Sequence, residues 1–258
     1  MIRFDNVVKR FDGREVLAGV SFEVAKGEIL AIVGPSGTGK SVTLKHLVRL
    51  LTPTSGSVWL DDVEISAARG RVLDGIRERF GYLFQGGALL GWLTVAENVA
   101  LPLRERMSLP DAEIDARVAE ALAAVELTGA ADRYPAEISG GMQKRAGLAR
   151  AIVRRSDIVL YDEPTSGLDP VTSVTINRLI HRLNRERGIT SVVVTHALQG
   201  ALLFADRILM LKAGHVVEAS PPAAFVRSAN PEVREFLAAQ FITEESYLQM
   251  KAIYEKEQ

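Results

Sequence analysis

Three features of this 258-residue chain predict an α/β fold of parallel strands joined by helices. A glycine-rich segment, Gly34-Pro35-Ser36-Gly37-Thr38-Gly39-Lys40-Ser41, stands between an apolar run and a run with helical spacing. A second apolar run, Ile158-Val159-Leu160-Tyr161, ends in Asp162-Glu163. The amphipathic stretch from Val174 to Leu183 then reads as a crossover to a third run, Ser191-Val192-Val193-Val194.

In chain order, Ile2-Arg3-Phe4, Val20-Ser21-Phe22-Glu23-Val24, Glu28 to Val33, and Val58-Trp59-Leu60 ending at Asp61-Asp62 read as strands of a mixed sheet. Val42, Leu44, Leu47, Val48 and Leu51 mark the helix that follows the glycine-rich segment. Phe80-Gly81-Tyr82-Leu83-Phe84 is a further strand leading to Gln85, after which the pattern turns helical over residues 86–157. In that insert Ile114, Val118, Leu122 and Val125 form one apolar face, with Pro110 just before the helix and Gly129 near its end. Ile208-Leu209-Met210-Leu211 and His215-Val216-Val217-Glu218 form a closing hairpin around Gly214. Beyond Pro221 a tail begins. Asn230 and Pro231 start one helix, with Val233, Phe236, Leu237 and Phe241 as its apolar residues, and Thr243 caps another.

Composition narrows the function. A 47% hydrophobic content supports a sizeable core, and a net charge of −1 gives no general attraction to nucleic acid or anionic lipid. With no cysteine there is no disulfide framework and no thiolate metal site, which fits a reducing cytoplasm, and His46, His181 and His215 lack metal-like clustering. The first residues carry no signal-peptide pattern, and no run approaches the ~20 apolar residues of a membrane-spanning helix. Any membrane role is therefore expected to depend on a partner. Lys144, Arg145, Arg150, Arg154 and Arg155 are expected to form a solvated helix face, not a nucleic-acid surface.

The glycine-rich segment fits G-x-x-x-x-G-K-[ST] in the strand–loop–helix context that this pattern requires. Its glycines let successive N–H groups face phosphate oxygens, Lys40 reaches the outer phosphates, and Ser41 offers a hydroxyl to Mg²⁺. ATP or GTP is the expected ligand. Asp162, at a strand end, suits the Mg²⁺ shell, and Glu163 is the candidate base for an attacking water. Gln85 can offer its amide oxygen to Mg²⁺ or the water, and His196 can contact the γ-phosphate. An acidic turn alone is commonly just solvated; its link to the phosphate loop gives this one weight.

Ile138-Ser139-Gly140-Gly141-Met142-Gln143 resembles the L-S-G-G-Q signature of ATP-binding-cassette (ABC) ATPases. Ser139 and the two glycine N–H groups begin a helix, Lys144 to Arg154, and so form an outward-facing anion site. The resemblance covers residues 2–222. It implies a P-loop NTPase ABC cassette, with a RecA-like core, an antiparallel β subdomain and an α-helical subdomain, plus a C-terminal helical tail over 223–258. It further implies that Gly34 through Val42 bind ATP with Phe11 stacked on adenine, and that two copies sandwich two ATP molecules. In that homodimer Ser139 to Gln143 of one copy close on the other's γ-phosphate, and Ser166-Gly167-Leu168-Asp169 communicate across. His196 matches the family's switch histidine. The chain departs from the usual pattern at Phe11, where tyrosine is commoner, at Met142, where glutamine is usual, and at Ala197, where aspartate is frequent.

Phe84 to Leu90, Glu97 to Arg104 and Ser139 to Ile152 resemble the Mla-type phospholipid-trafficking cassettes. This implies an ATPase peripheral to the cytoplasmic face of an inner membrane, bound to an integral-membrane permease. It also implies a periplasmic MCE-type lipid-binding subunit and a small cytoplasmic accessory protein. Gly86 to Met107, with Leu89, Leu90, Trp92 and Leu93, is the expected coupling segment. Two other readings are a small-solute importer cassette and a soluble cassette acting on ribosomes or DNA. The tail side chains Phe236, Leu237, Phe241, Tyr247, Met250 and Tyr254 are expected to pack against a cassette, its own or its partner's.

Overall fold

A computed structural model describes residues 1–106 and 109–256, and the chain divides into two compact units, Met1–Ile76 with Val192–Gln258, and Arg77–Ser191. The first opens with β1 (Ile2–Phe11) and β2 (Arg14–Val24), an antiparallel pair joined by Asp12 and Gly13, both at positive φ. That two-residue turn matches the twist of its strands, so the hairpin extends well beyond the short runs expected from sequence. Phe4 pairs with Phe22 and their rings stack 4.5 Å apart, holding the register from the buried face. β3 (Ile29–Val33) is buried along its length, and α1 (Lys40–Leu47) follows the glycine-rich loop. β4 (Ser55–Leu60) pairs with β1 and β5 (Val63–Glu64) with β4, giving the order β2-β1-β4-β5. α2 (Gly70–Glu78) was not legible in the sequence: only Ile76 of its apolar residues is fully buried.

The second unit holds β6 (Phe80–Leu83), α3 (Val95–Arg106), α4 (Asp111–Ala124), α5 (Gly140–Ile152), β7 (Ile158–Asp162), α6 (Pro170–Arg187) and the start of β8 (Thr190–Val194). β6 runs parallel to β7, and β8 is the next strand in the order. α4 starts after Pro110 as expected but ends at Ala124, so Gly129 lies beyond it in a separate 3₁₀ turn, Thr128–Ala130. α3 is capped reciprocally: the Glu97 N–H donates to the Thr94 hydroxyl at 3.2 Å, and the Thr94 N–H to the Glu97 carboxylate at 2.8 Å.

The remainder of β8 returns the chain to the first unit, where it lies next to β3. There α7 (Leu198–Phe204), also unforeseen, precedes β9 (Arg207–Lys212), which is parallel to β3, and β10 (His215–Ser220), antiparallel to β9. The tail forms α8 (Pro222–Val226), α9 (Pro231–Ala238) and α10 (Glu244–Lys256), with Asn230 capping α9 and Thr243 and Ser246 capping each other at the start of α10. α10 packs on α7, and α8 and α9 pack on β10, so the tail lies on its own chain. Val233, Leu237, Tyr247 and Tyr254 are buried there, whereas Phe241 is 89% exposed, contrary to expectation, because the chain leaves α9 at Ala238 and turns at positive φ.

His46 on α1 is 1% exposed, and its Nδ1–H donates to the Val42 carbonyl at 2.7 Å. Burial lowers its pKa to about 4, against an ordinary 6.5. The unfolded chain therefore takes up a proton first as pH falls, and stability present above about 6.5 is lost on the way to about 4, by roughly 3 kcal/mol. Urea unfolding of His46→Gln against wild type between pH 7 and 4 is expected to show a shallower decline in the variant. Parallel declines would refute this.

Candidate active site

The first unit carries the phosphate loop. β3 delivers the chain into Gly34, at φ 143°, where an added Cβ would sit 2.0 Å from the Leu211 carbonyl oxygen on β9. Only glycine fits that approach. Gly39, at φ 96°, turns the chain into α1, and a Cβ there would lie 2.5 Å from Leu17 Cδ2. Lys40 is buried, and its ammonium donates to the carbonyls of Gly34 and Pro35, both at 2.8 Å, while the Thr38 hydroxyl donates to Pro35 O at 2.9 Å. The ammonium thus lies against the loop, at a helix N-terminus. Gly37, Ser36 and Pro35 are exposed, and Ser41 and Val42 are half-buried in the first helical turn.

His196 follows β8 directly: the Thr195 N–H donates to Ile32 O at 3.1 Å, so the exposed imidazole leaves the sheet at the end where β3 enters the loop. Ala197 precedes α7 without a side-chain cap. Phe11 is 39% exposed at the β1–β2 turn, and the Lys9 ammonium lies 4.9 Å from its ring centre.

The second unit carries the acids. Asp162 ends β7 and is nearly buried, accepting a hydrogen bond from the Tyr82 hydroxyl at 3.3 Å. Burial, with the Asp162 charge beside it, pushes the Tyr82 phenol well above its ordinary range, so it stays a donor. Glu163 has φ 51°, a left-handed backbone that is uncommon outside glycine and costs of order 1 kcal/mol. Its carbonyl accepts from Ser166 N–H and from the Lys144 ammonium, both at 3.2 Å. Burial lowers the Lys144 pKa, while the nearby Glu163 and Asp162 carboxylates oppose that shift.

Gln85 is exposed, two residues past the end of β6. The loop around it is tied to α5: Arg150 donates to Gly87 O at 2.7 Å and Ala88 O at 2.8 Å, and the backbones pass closely enough that a Cβ on Gly147 would lie 3.1 Å from Gly87 Cα. Further on, buried Asn98 accepts from Leu90 N–H at 2.7 Å and donates to the carbonyls of Leu90, Leu93 and Thr94.

The signature helix starts earlier than expected, at Gly140, and ends at Ile152. Ser139 caps it by accepting from Met142 N–H at 3.3 Å, while Gln143 Nε2 donates to Pro135 O at 2.8 Å. Gly141 is packed so closely that a Cβ would meet Thr172 Cγ2 at 2.5 Å. Ser139 and Gly140 are exposed and Met142 is half-buried. Gly167, at φ 77°, turns Ser166-Gly167-Leu168 into α6, whose cap is Asp169: its carboxylate accepts from Thr172 N–H at 3.0 Å and from the Thr172 hydroxyl at 2.6 Å. These bonds hold the Asp169 pKa low.

The basic run from Lys144 to Arg155, whose last two residues lie past the end of α5, is not a solvated helix face. Lys144 is buried, Arg145 donates to Glu126 O, Arg150 clamps the Gln85 loop and Arg154 lies near Glu78; Arg155 alone of the five is exposed. The helical spacing of Gly141, Lys144, Leu148 and Ala151, all buried, is the signal that places Lys144 inward. Nothing in the sequence pairs Tyr82 with Asp162.

Strand–loop–helix geometry around Lys40 and strand-end acids define a nucleotide-binding P-loop protein. Residues 17–166 match the family described as ABC transporter. The chain belongs to that family, and its fold is the ABC ATPase cassette. The "Probable ribonucleotide transport ATP-binding protein mkl" of Mycobacterium tuberculosis (strain ATCC 25618 / H37Rv) is 42% identical over 236 residues, 92% of this chain and 66% of that protein. The "Methionine import ATP-binding protein MetN" of Xanthomonas campestris pv. campestris (strain 8004) is 41% identical over 243 residues, 92% of this chain and 72% of that one. The chain thus spans about two thirds of the mycobacterial relative. Among solved structures, the ATP-binding cassette MJ0796, dimeric in a post-hydrolysis state bound to ADP and Pi, matches with TM-score 0.79 and 36% identity, over 86% of this chain and 99% of that chain. The cbiO1 protein of Clostridium perfringens, part of the ABC transporter complex cbiONQ, matches with TM-score 0.80 and 28% identity, over 92% and 94%.

Cassettes of this class bind ATP with Mg²⁺ and hydrolyse it. The donor chemistry fits that ion: β7 ends in the Asp162 carboxylate and the first turn of α1 carries the Ser41 hydroxyl, both hard oxygen donors, and Mg²⁺ with nucleotide needs only one or two carboxylates plus phosphates. No described helix is long and apolar enough to cross a membrane.

Proposed function

We propose that the chain is the ATP-hydrolysing subunit of a transporter that moves phospholipid between an inner and an outer membrane. The ATPase part is carried by the Lys40 ammonium held against the Gly34 and Pro35 carbonyls at a helix N-terminus, in a chain that also bears Asp162-Glu163 at a strand end. Residues 1–222 form the cassette in this reading, with 223–258 as an extension and 86–157 as the helical subdomain.

In the proposed mechanism Gly34 through Val42 bind the phosphates through backbone N–H groups, with Lys40 countering their charge and Phe11 stacking on adenine. Ser41, Gln85 and Asp162 are the residues that would hold Mg²⁺, which when bound would supply positive charge to neutralise the phosphate oxygens. Glu163 polarises the attacking water, and His196 contacts the γ-phosphate. A second copy of the chain, closing as a homodimer, supplies Ser139 through Gln143, and Ser166 through Asp169 report across the interface.

Partner docking has a visible candidate within the second unit. A cleft of about 310 Å³ is lined by Phe80, Tyr82, Phe84, Ala88, Pro102 and Arg150 among others, and Trp92, in the coupling segment, is 74% exposed. The segment's last residue, Met107, lies outside the described residues. A permease helix in that cleft would sit beside the Gln85 loop, and Trp92 is proposed as a separate contact in the coupling segment. Trp92→Glu is expected to cut co-purification with the permease several-fold while ATP binding stays unchanged. Undiminished co-purification would exclude Trp92 from the contact.

The lipid reading is supported by the Mla-type character of Phe84 to Leu90, Glu97 to Arg104 and Ser139 to Ile152. It places the chain at the cytoplasmic face of an inner membrane, with a periplasmic MCE-type subunit and a small cytoplasmic accessory protein as further partners and no nucleic acid. The named methionine-import relative favours a second reading, an importer of a small solute. A mild-detergent pull-down of the tagged chain from its native membrane, with mass spectrometry of proteins and lipids, separates the two. A multi-span permease recovered with a periplasmic lipid-binding subunit and phospholipid supports the first; a solute importer without lipid enrichment replaces it with the second.

A further inference from the structure

Lys144 is 4% exposed, and lysine is rarely buried so deeply without partners. Its ammonium donates to Glu163 O at 3.2 Å, and the Glu163 and Asp162 carboxylates both act on its charge. Ser166 N–H donates to the same carbonyl, at 3.2 Å, so the Glu163 peptide is gripped from two sides. The grip matters because Glu163 has a left-handed backbone, at φ 51°, and the direction of its side chain depends on that conformation being held. Lys144 lies one turn into α5, the helix capped by Ser139, so its side chain connects that helix to the strand end bearing the acids.

We propose that Lys144 is a positioning residue for hydrolysis: from the signature helix it fixes the main chain of Glu163, and through it the aim of the carboxylate toward water. The proposal rests on the assignment of Glu163 as the base. Lys144 touches neither nucleotide nor water in this role.

The test is steady-state ATP turnover of the full chain as Lys144→Met, which keeps the volume and removes the ammonium, in wild-type and Glu163→Gln backgrounds. Misaimed catalytic groups cost up to about 100-fold, so kcat is expected to fall about tenfold or more with KM for ATP within about twofold. In the Glu163→Gln background the same change is expected to alter the residual rate by less than about twofold, since the group it positions is already gone. Wild-type kcat in Lys144→Met, an equal loss in both backgrounds, or a loss confined to KM would each overturn the proposal. If Lys144→Met does not fold, Lys144→Gln is read against the same limits. A Glu163→Gln protein with normal turnover would remove the base assignment itself, an outcome distinct from an active Lys144→Met beside an inactive Glu163→Gln.

Discussion

Replacing Glu163 with Gln is expected to lower ATP turnover by about 10²–10⁴-fold, the range that a general base contributes, while ATP still binds. The amide has nearly the carboxylate's shape and keeps an oxygen for hydrogen bonding, but it cannot take up the proton of the attacking water. The left-handed backbone at Glu163 is set by main-chain contacts with Ser166 and Lys144, which the substitution leaves in place. Because nucleotide is bound but not consumed, the ATP-closed dimer should outlast that of the wild type. Size-exclusion chromatography with ATP and a phosphate-release assay give the two readouts. Normal phosphate release by Glu163→Gln would overturn the assignment and turn attention to His196.

Lys40→Ala is the second large effect, and it acts on binding. The ammonium makes two charge-assisted hydrogen bonds to loop carbonyls, and these would give way to phosphate oxygens when nucleotide arrives. A charged hydrogen bond is worth about 1.5–3 kcal/mol, so ATP affinity is expected to drop about 10–100-fold, and further where two phosphates are contacted. Fluorescence titration with a labelled ATP analogue checks this. The fold should survive: Gly34 and Gly39 hold the loop by backbone conformation, and Thr38 retains its own bond to Pro35 O. Wild-type affinity in Lys40→Ala would show that the loop does not hold the outer phosphates.

Much of the molecule is legible in its sequence. The eight residues from Gly34 to Ser41 specify their own geometry, because positive-φ glycines, a helix start and a preceding buried strand are local properties. The same holds for Ile158 to Asp162, for the Ser139 helix start and for the Asn230-Pro231 helix start. Less legible were two short helices: α2 buries only Ile76 of its apolar residues and α7 spans only Leu198–Phe204, so neither pattern runs long enough to stand out from loop. The basic run of α5 misled for a related reason. Charge suggested solvent, while the Gly141, Lys144, Leu148 spacing pointed inward, and the packing followed the spacing.

What the sequence determined by itself is the chemistry that local backbone can express: a phosphate loop, strand-end acids and a signature serine at a helix start. Tertiary structure alone decided which distant groups meet those residues. It set the Tyr82 hydroxyl on Asp162, 80 positions away, and the Lys144 ammonium on Glu163 O, 19 positions away. It also turned the tail helices onto their own chain while leaving Phe241 in solvent. The physical reason is that turn, cap and strand preferences act over a few residues and can be read along the chain. The burial of a lysine or a phenol depends instead on which surfaces close over it once the chain has folded.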